Sequence, residues 1–369
     1  MAAFNFDPSI SVLFGPGRLV ELGEQTRQLS SRSVLLVTDP GLTRTNIVER
    51  AKSSLIDAGL DVRVFDRVRE NPTARDIESG LAVARSGNEI GLIVAVGGGS
   101  TMDCAKGINF LLTNGGRIED YHGFGKANQE MLPSIGVPTT AGTGSEAQSY
   151  ALISSQDAHV KMACGDRKAR FVSVILDPDL IGSAPQPVKA AAGFDAMAHA
   201  VESYVCTKRS PVSRMYAREA FGRLDRALVP FVHGDPNADP GAVLLGAHLA
   251  GMAIEASMLG AAHACGNPLT AEYGATHGVA VGVMLPTVVA HNIHTHGDLY
   301  KGLAEHADLV GRLVEIRSDL GLPGRLSDLG VGAEAIPGLA KAASEQWTAT
   351  FNPRPVDEHE CRDMYEAAL

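Results

Sequence analysis

A chain of 369 residues, 45% hydrophobic and 20% charged, carries the apolar material for two packed domains and is far from the composition of disordered or fibrous chains. Its formal net charge of -10 argues against a protein whose main task is gripping nucleic acid, because neutralising phosphates needs a basic face. The five cysteines (Cys104, Cys164, Cys206, Cys265 and Cys361) are odd in number and scattered, with no CxxC pair; this disfavours a disulfide framework or a thiolate zinc site and fits a reducing compartment.

The opening stretch MAAFNFDPSISVLFGPG has neither the basic segment nor the apolar core of a signal peptide. No apolar run approaches the roughly 18 residues of a membrane span, so a soluble, cytoplasmic protein is expected. Residues 34–38 (VLLVT) read as a strand stopped by Asp39-Pro40-Gly41, and residues 43–58 as a helix. A second strand over 61–65 is closed by Asn71-Pro72, and a second helix runs over 74–86. Residues 91–96 (GLIVAV) form a buried-type strand that enters Gly97-Gly98-Gly99-Ser100, where another helix starts; 134–138 and 172–176 add strands. Continuous apolar strands alternating with helices predict a parallel sheet covered on both faces. Beyond Asp177-Pro178 the texture becomes helical throughout, rich in Ala, Gly, Met, Leu and His. The expected division is an α/β domain over 1–183 and an all-α domain over 184–369.

Glycines between a strand and a helix let backbone approach a ligand, and the N–H groups that open the helix favour an anion. Ser100 and Thr101 are placed to cap that helix and to offer hydroxyls. The turn is neither a GxGxxG fingerprint nor a Walker loop, and alone it fits a ligand-free turn equally well. A second loop, PTTAGTGSE at 138–146, again follows an apolar strand and is dense in small donors. Two such loops at successive strand ends suit one extended phosphate-bearing ligand. Asp39, at the end of the first strand, has the chemistry to accept from a ribose 2′-hydroxyl and to repel a 2′-phosphate; if these loops hold a dinucleotide, this favours NAD over NADP, and without the two loops Asp39 simply starts a turn before Pro40.

Asp195 and His199, four residues apart, share a helix face flanked by alanine and glycine. Alone, such a pair is more often a hydrogen bond than a metal site. His263 and His277 lie in a stretch poor in charge. Together the four offer one carboxylate and three imidazoles, which suits a borderline divalent ion, Fe2+ or Zn2+. The HNIHTH run (His291, His294, His296) reads as a solvated helix end.

These motifs occur together in one family. The chain resembles the iron-containing (group III) alcohol dehydrogenases, which share a dehydroquinate synthase-like fold. The resemblance runs through FGPG, TDPGL at 38–42, NPT at 71–73, GGGSTMDCAK at 97–106, PTTAGTGSE, VKM at 160–162, DP at 177–178, AAAGFDAMAHAVESYV at 190–205, HG at 277–278 and NPRPV at 352–356. It implies that the α/β domain over 1–183 is a dinucleotide-binding domain and that the all-α domain over 184–369 binds the metal, with Asp195, His199, His263 and His277 as ligands and Fe2+ the expected ion. It implies a cofactor lined by Asp39, Gly97, Gly98, Gly99, Ser100, Thr101, Thr139, Thr140 and Thr143, with Asn71 and Lys161 nearby, and a homodimer or larger homo-oligomer. The implied activity is hydride transfer between NAD(H) and a small alcohol or aldehyde. Many relatives carry a further histidine, linked to proton movement, four residues after the third ligand; here Asn267 stands there, and an amide cannot exchange a proton as imidazole does. No catalytic residue is assigned beyond the metal ligands. The rival on the same fold is a sugar-phosphate cyclase, a lyase, which needs basic residues for its phosphate; residues 190–205 and 251–300 contain no Lys or Arg.

Overall fold

The computed structural model describes every residue except 1–3, 5, 8–9, 30–31, 155–160 and 306–307. Part of the N-terminal stretch MAAFNFDPSISVLFGPG, and Val160 of the VKM segment, therefore lie outside the described residues. Two compact units emerge: Pro8–Thr140 with Ser145–Ala184, and Met1–Asp7 with Ala141–Gly144 and Pro185–Leu369. The four residues Ala141–Gly144, inside the threonine loop, thus count with the helical unit.

In the α/β unit the strands are β1 (Ser11–Phe14), β2 (Ser33–Val37), β3 (Asp61–Phe65), β4 (Leu92–Gly97), β5 (Gly123–Phe124), β6 (Ser134–Pro138), β7 (Tyr150–Ser154), β8 (Lys161–Gly165) and β9 (Ser173–Leu176). Six of them form an all-parallel sheet in the order β1-β9-β6-β4-β2-β3. β2, β4, β6 and β9 are buried along their whole length, which is why they read as unbroken apolar runs. The helices are α1 (Leu22–Gln28), α2 (Ile47–Asp57), α3 (Ala74–Arg85) and α4 (Gly99–Asn114).

The five expected strands appear within a residue of their expected bounds. The expected helix over 43–58 is broken: Leu42–Arg44 form a 3-10 turn, Thr45 is extended, and its hydroxyl accepts the N–H of Ile47 as α2 begins. β1 and a small sheet, β5-β8-β7 with β7 and β8 antiparallel, escape the sequence pattern. β5 is two residues long, and KMACG in β8 does not alternate between apolar and polar residues. Gly97 and Pro138 are register partners on β4 and β6, and the Thr139 N–H donates to the Gly97 carbonyl at 3.0 Å. The glycine turn and the threonine loop therefore leave the sheet side by side, at its carboxyl edge.

The helical unit contains α5 (Gln186–Val205), α6 (Pro211–His233), α7 (Pro240–Glu255), α8 (Ala261–Tyr273), α9 (His277–His296), α10 (Leu309–Asp319), α11 (Ile336–Ser344) and α12 (Glu358–Ala368). α5 is buried almost continuously from Ala190 to Val205. A central helix covered on all sides explains why its sequence is apolar or small around the whole circumference. Polar side chains on such a helix must find partners inside the protein.

Candidate metal centre and cofactor turn

Asp195, His199 and Glu202 stand at i, i+4 and i+7 on α5, so one face of this buried helix carries two carboxylates and an imidazole. His263 is the third residue of α8 and His277 the first of α9. The fold brings the three imidazoles to one carboxylate. The Nε2 atoms of His199 and His263 lie 3.5 Å from Oδ2 and Oδ1 of Asp195 respectively, and that of His277 lies 3.9 Å from Oδ1. The His199 and His263 rings stack with centroids 4.8 Å apart. Asp195, His263 and His277 each offer a ligand atom within 4.8 Å of the others. Asp195, His199 and His263 are buried, while the His277 side chain is 25% exposed.

Two observations show that these residues fit a cation. Asp195 Oδ1 and His263 Nε2 are shielded from solvent and make no hydrogen bond, although they face each other; each such orphan costs about 1–3 kcal/mol. The electrostatics also call for positive charge. Burial works against ionising Asp195, yet His199, His277 and His263 outweigh it and hold its carboxyl well below the usual range. Burial also opposes an imidazolium at His263, and the carboxylates Glu202 and Asp195 overcome this, pushing its pKa up to about 9. A divalent ion would satisfy both orphans and supply the charge that two buried carboxylates demand.

Glu202 was not visible as a site residue from sequence; its signal is the third position in D-x3-H-x2-E. Its Oε1 accepts the Ala262 N–H at 2.6 Å and its Oε2 pairs with His263 Nδ1 in a short hydrogen bond. With the proton held on Nδ1, the Nε2 lone pair of His263 points at Asp195 and is free to bind a metal. Asn267, on the next turn of α8, donates its Nδ2 to Gln346 Oε1 at 3.1 Å. Of the HNIHTH run, His294 is exposed, as a solvated helix end requires, but Nε2 of His291 is buried without a partner.

Gly278 follows His277 because nothing larger fits. A Cβ there would lie 2.1 Å from the Ala191 carbonyl oxygen and 3.2 Å from Asp195 Cβ. Gly278→Ala is therefore expected to cost about 1–3 kcal/mol of stability and to lower metal content, read by thermal unfolding and metal analysis of the same preparation.

In the α/β unit, α4 opens at Gly99 with an extended Gly98 as its N-cap and no side-chain cap. Ser100 and Thr101 thus lie inside the first turn and do not cap it. Thr101 is buried, and a Cβ on Gly97 would meet its Oγ1 at 2.3 Å, so Thr101 supports the turn from beneath. A Cβ on Gly98 would sit 3.1 Å from Thr140 Oγ1, leaving that backbone bare beside the threonine loop. Ser100 Oγ accepts the backbone N–H of Asn71 at 3.1 Å, and Asn71 adopts a left-handed φ of 51°. Asp39 Oδ1 accepts from the N–H groups of Gly41 and Leu42 at 2.8 and 3.1 Å, so one of its oxygens builds the turn. Thr139 is buried, Thr143 is exposed and Lys161 begins β8.

The end of the threonine loop is fixed by a buried pair on α4 that sequence reading passed over. Lys106 Nζ donates to the carbonyls of Ser145 and Tyr150, both at 2.7 Å, and Ser145 Oγ donates to Asp103 at 2.6 Å. An Asp and a Lys three residues apart within a mostly apolar helical run are the sequence signal for this pair.

Comparison with known proteins agrees with this geometry. The family model described as iron-containing alcohol dehydrogenase matches residues 8–178, and that of the Fe-containing alcohol dehydrogenase family, C-terminal, matches residues 189–369. The chain is 32% identical to alcohol dehydrogenase 4 of Schizosaccharomyces pombe, over 97% of this chain and 87% of that protein. It is 31% identical to the NAD-dependent methanol dehydrogenase of Bacillus methanolicus, over 99% of each. The crystal structure of a 1,3-propanediol oxidoreductase superimposes with a TM-score of 0.94 at 31% identity, covering 100% of both chains. The class these agreements define is that of metal-dependent oxidoreductases acting on alcohols, and they give no support to a cyclase. More narrowly, the chain belongs to the iron-containing alcohol dehydrogenase family.

Proposed function

We propose that this protein is an NAD-linked alcohol dehydrogenase that interconverts a small uncharged alcohol and its aldehyde. Asp195, His199, His263 and His277 hold one Fe2+, with Zn2+ the alternative ion. The observation that carries this reading is the buried carboxylate ringed by three imidazoles, with orphaned ligand atoms on both sides. When bound, the metal supplies Lewis-acid polarisation of an alcohol or carbonyl oxygen and the dinucleotide supplies the hydride carrier.

The chain's own residues do the positioning. Asp195 brings the negative charge that retains a dication, and Glu202 keeps the His263 proton on the nitrogen that faces away from Asp195. Gly97, Gly98, Gly99 and Ser100, with Thr140 beside them, form the cofactor's phosphate cradle at the start of α4, supported by the buried Thr101 and Thr139; Lys106 and Asp103 hold the loop that follows, and Asn71 and Lys161 flank the cradle. Asn267 gives no proton-exchanging group, so protons leave through water or ribose hydroxyls. On this reading the unit holding the parallel sheet binds the dinucleotide and the helical unit binds the metal. NAD and a small alcohol are also in keeping with the names of the Bacillus methanolicus relative and of the propanediol oxidoreductase.

A homodimer is part of the proposal. Among the described residues β1 is an edge strand paired only with β9, and its Val12 and Phe14 are 43% and 41% exposed; an exposed apolar edge invites a second copy of the chain. Five free, buried cysteines suit the cytoplasm, and no helix among the described residues is long and apolar enough to cross a membrane.

Protein loaded with Fe2+ without oxygen is expected to oxidise NADH in the presence of short aldehydes and to lose this activity with a chelator. No turnover of any of them, with metal confirmed bound, would overturn the reading. Asp39→Asn keeps an acceptor for the Gly41 and Leu42 N–H groups while removing the charge. It is expected to raise the kcat/KM ratio for NADP over NAD by about tenfold or more, a shift of ~1.4 kcal/mol or more in relative transition-state binding; an unchanged ratio would remove Asp39 from cofactor selection.

A further inference from the structure

The NPRPV segment at 352–356 has no part in the chemistry described so far, yet its first residue is bound into the metal centre's support. α8 begins at Ala261 behind Gly260, which supplies no side-chain cap, so the first N–H groups of the helix need partners from elsewhere. They find two. Ala262 N–H donates to Glu202 Oε1 at 2.6 Å, and Ala261 N–H donates to Asn352 Oδ1 at 3.3 Å. A Cβ on Gly260 would lie 3.1 Å from both acceptor oxygens. His263 is the next residue, so these two side chains set where the first turn of α8, and with it the His263 ring, is held.

Asn352 is itself saturated. Its Oδ1 also accepts from Asn292 Nδ2 at 3.1 Å, and its Nδ2 donates to Asn292 Oδ1 and to the Arg354 carbonyl, both at 2.7 Å. The amide thus uses two donors and two acceptor positions. Asn292, on α9, also donates to the Tyr300 hydroxyl at 3.1 Å. Asn352 is 3% and Asn292 1% exposed, so the bonds between the two amides are shielded from bulk water. No other side chain of this size both accepts and donates twice: aspartate cannot donate, and alanine would strand the Ala261 N–H and both ends of the Asn292 amide.

We propose that Asn352, braced by Asn292, is a positioning residue of the metal centre. By fixing the first turn of α8 it aims His263 Nε2 at the ion, without touching the ion or the substrate. This rests on the metal-centre reading above. The test uses full-length wild type, Asn352→Ala, Asn292→Ala and the double variant, each loaded with Co2+. Two properties are read: the visible Co2+ bands, which report ligand geometry, and the rate at which EDTA strips the ion. Both single variants are expected to change the band shape and to release Co2+ about tenfold faster, at the lower end of the loss seen when the partners of metal ligands are removed. The double variant is expected to be no worse than Asn352→Ala, since both act through one contact. Bands and release rates equal to wild type, whatever happens to the unfolding temperature of the metal-free proteins, would reduce the pair to a packing feature and overturn the proposal. Should Asn352→Ala fail to fold, Asn292→Ala decides alone. A wild type that binds no Co2+ would instead defeat the metal-centre reading itself.

Discussion

Asp195→Asn is expected to leave a folded protein that no longer retains its metal and has lost activity on the order of a thousandfold or more. The carboxylate is the one group all three imidazoles face, and it carries the only charge among the four ligand side chains when the imidazoles are neutral. An asparagine of the same shape keeps an oxygen but supplies no charge to balance a dication in a buried site. Lewis-acid polarisation contributes several kcal/mol to such a reaction, and each ~1.4 kcal/mol corresponds to a factor of ten in rate. Metal analysis and kcat/KM measured on one preparation check this. A variant with full metal content and near-normal rate would show that Asp195 is a structural carboxylate and that the ion, if any, sits elsewhere.

Glu202→Gln is expected to weaken metal binding by about 10- to 100-fold, the range for groups that orient a ligating histidine. The reason is the tautomer. Glu202 Oε1 is committed to the Ala262 N–H. A glutamine that keeps this bond turns its NH2 group toward His263 Nδ1. Nδ1 must then accept, so the ring proton moves to Nε2, the nitrogen that faces Asp195, and the lone pair the metal needs is covered. Glu202→Asp keeps the charge but is one methylene shorter, and should give the milder loss. Competition with a chelator measures both. Equal affinity in Glu202→Gln and wild type would mean that Glu202 does no more than cap α8.

The parts of this molecule that depend on local pattern are legible in the sequence. β2, β4, β6 and β9 are buried on both faces, so Val34–Val37 or Leu92–Val96 announce themselves without reference to neighbours. The glycine turn is legible because the strand, the Gly97-Gly98-Gly99 run and the helix are contiguous. Asp195 and His199 are legible as a pair by helical spacing, but His263 and His277 join them only through the resemblance, since nothing local tells where α8 and α9 begin or what they pack against. The residues that escaped are those whose meaning is tertiary. Glu202 reads as an ordinary helix glutamate until Ala262 and His263, some sixty positions away, are laid against it. Lys106 looks like a surface lysine, yet it is 2% exposed and fully engaged. The place of Ala141–Gly144 depends on packing too. Gly144 adopts a φ of +60°, and a Cβ there would meet Gly251 Cα at 2.5 Å, a constraint that two distant glycines do not reveal in a linear reading. Thr101 inverts its expected role because Gly98 takes the cap and shifts the helix start by one residue.

The most direct test of the metal centre is anomalous diffraction at the iron absorption edge from crystals of protein loaded with Fe2+ in the absence of oxygen. A single strong peak bonded to Asp195 and to the Nε2 atoms of His199, His263 and His277 is the expected result. A peak on other side chains, or none in protein shown to contain stoichiometric iron, would contradict the assignment of these four residues as the site that does the chemistry.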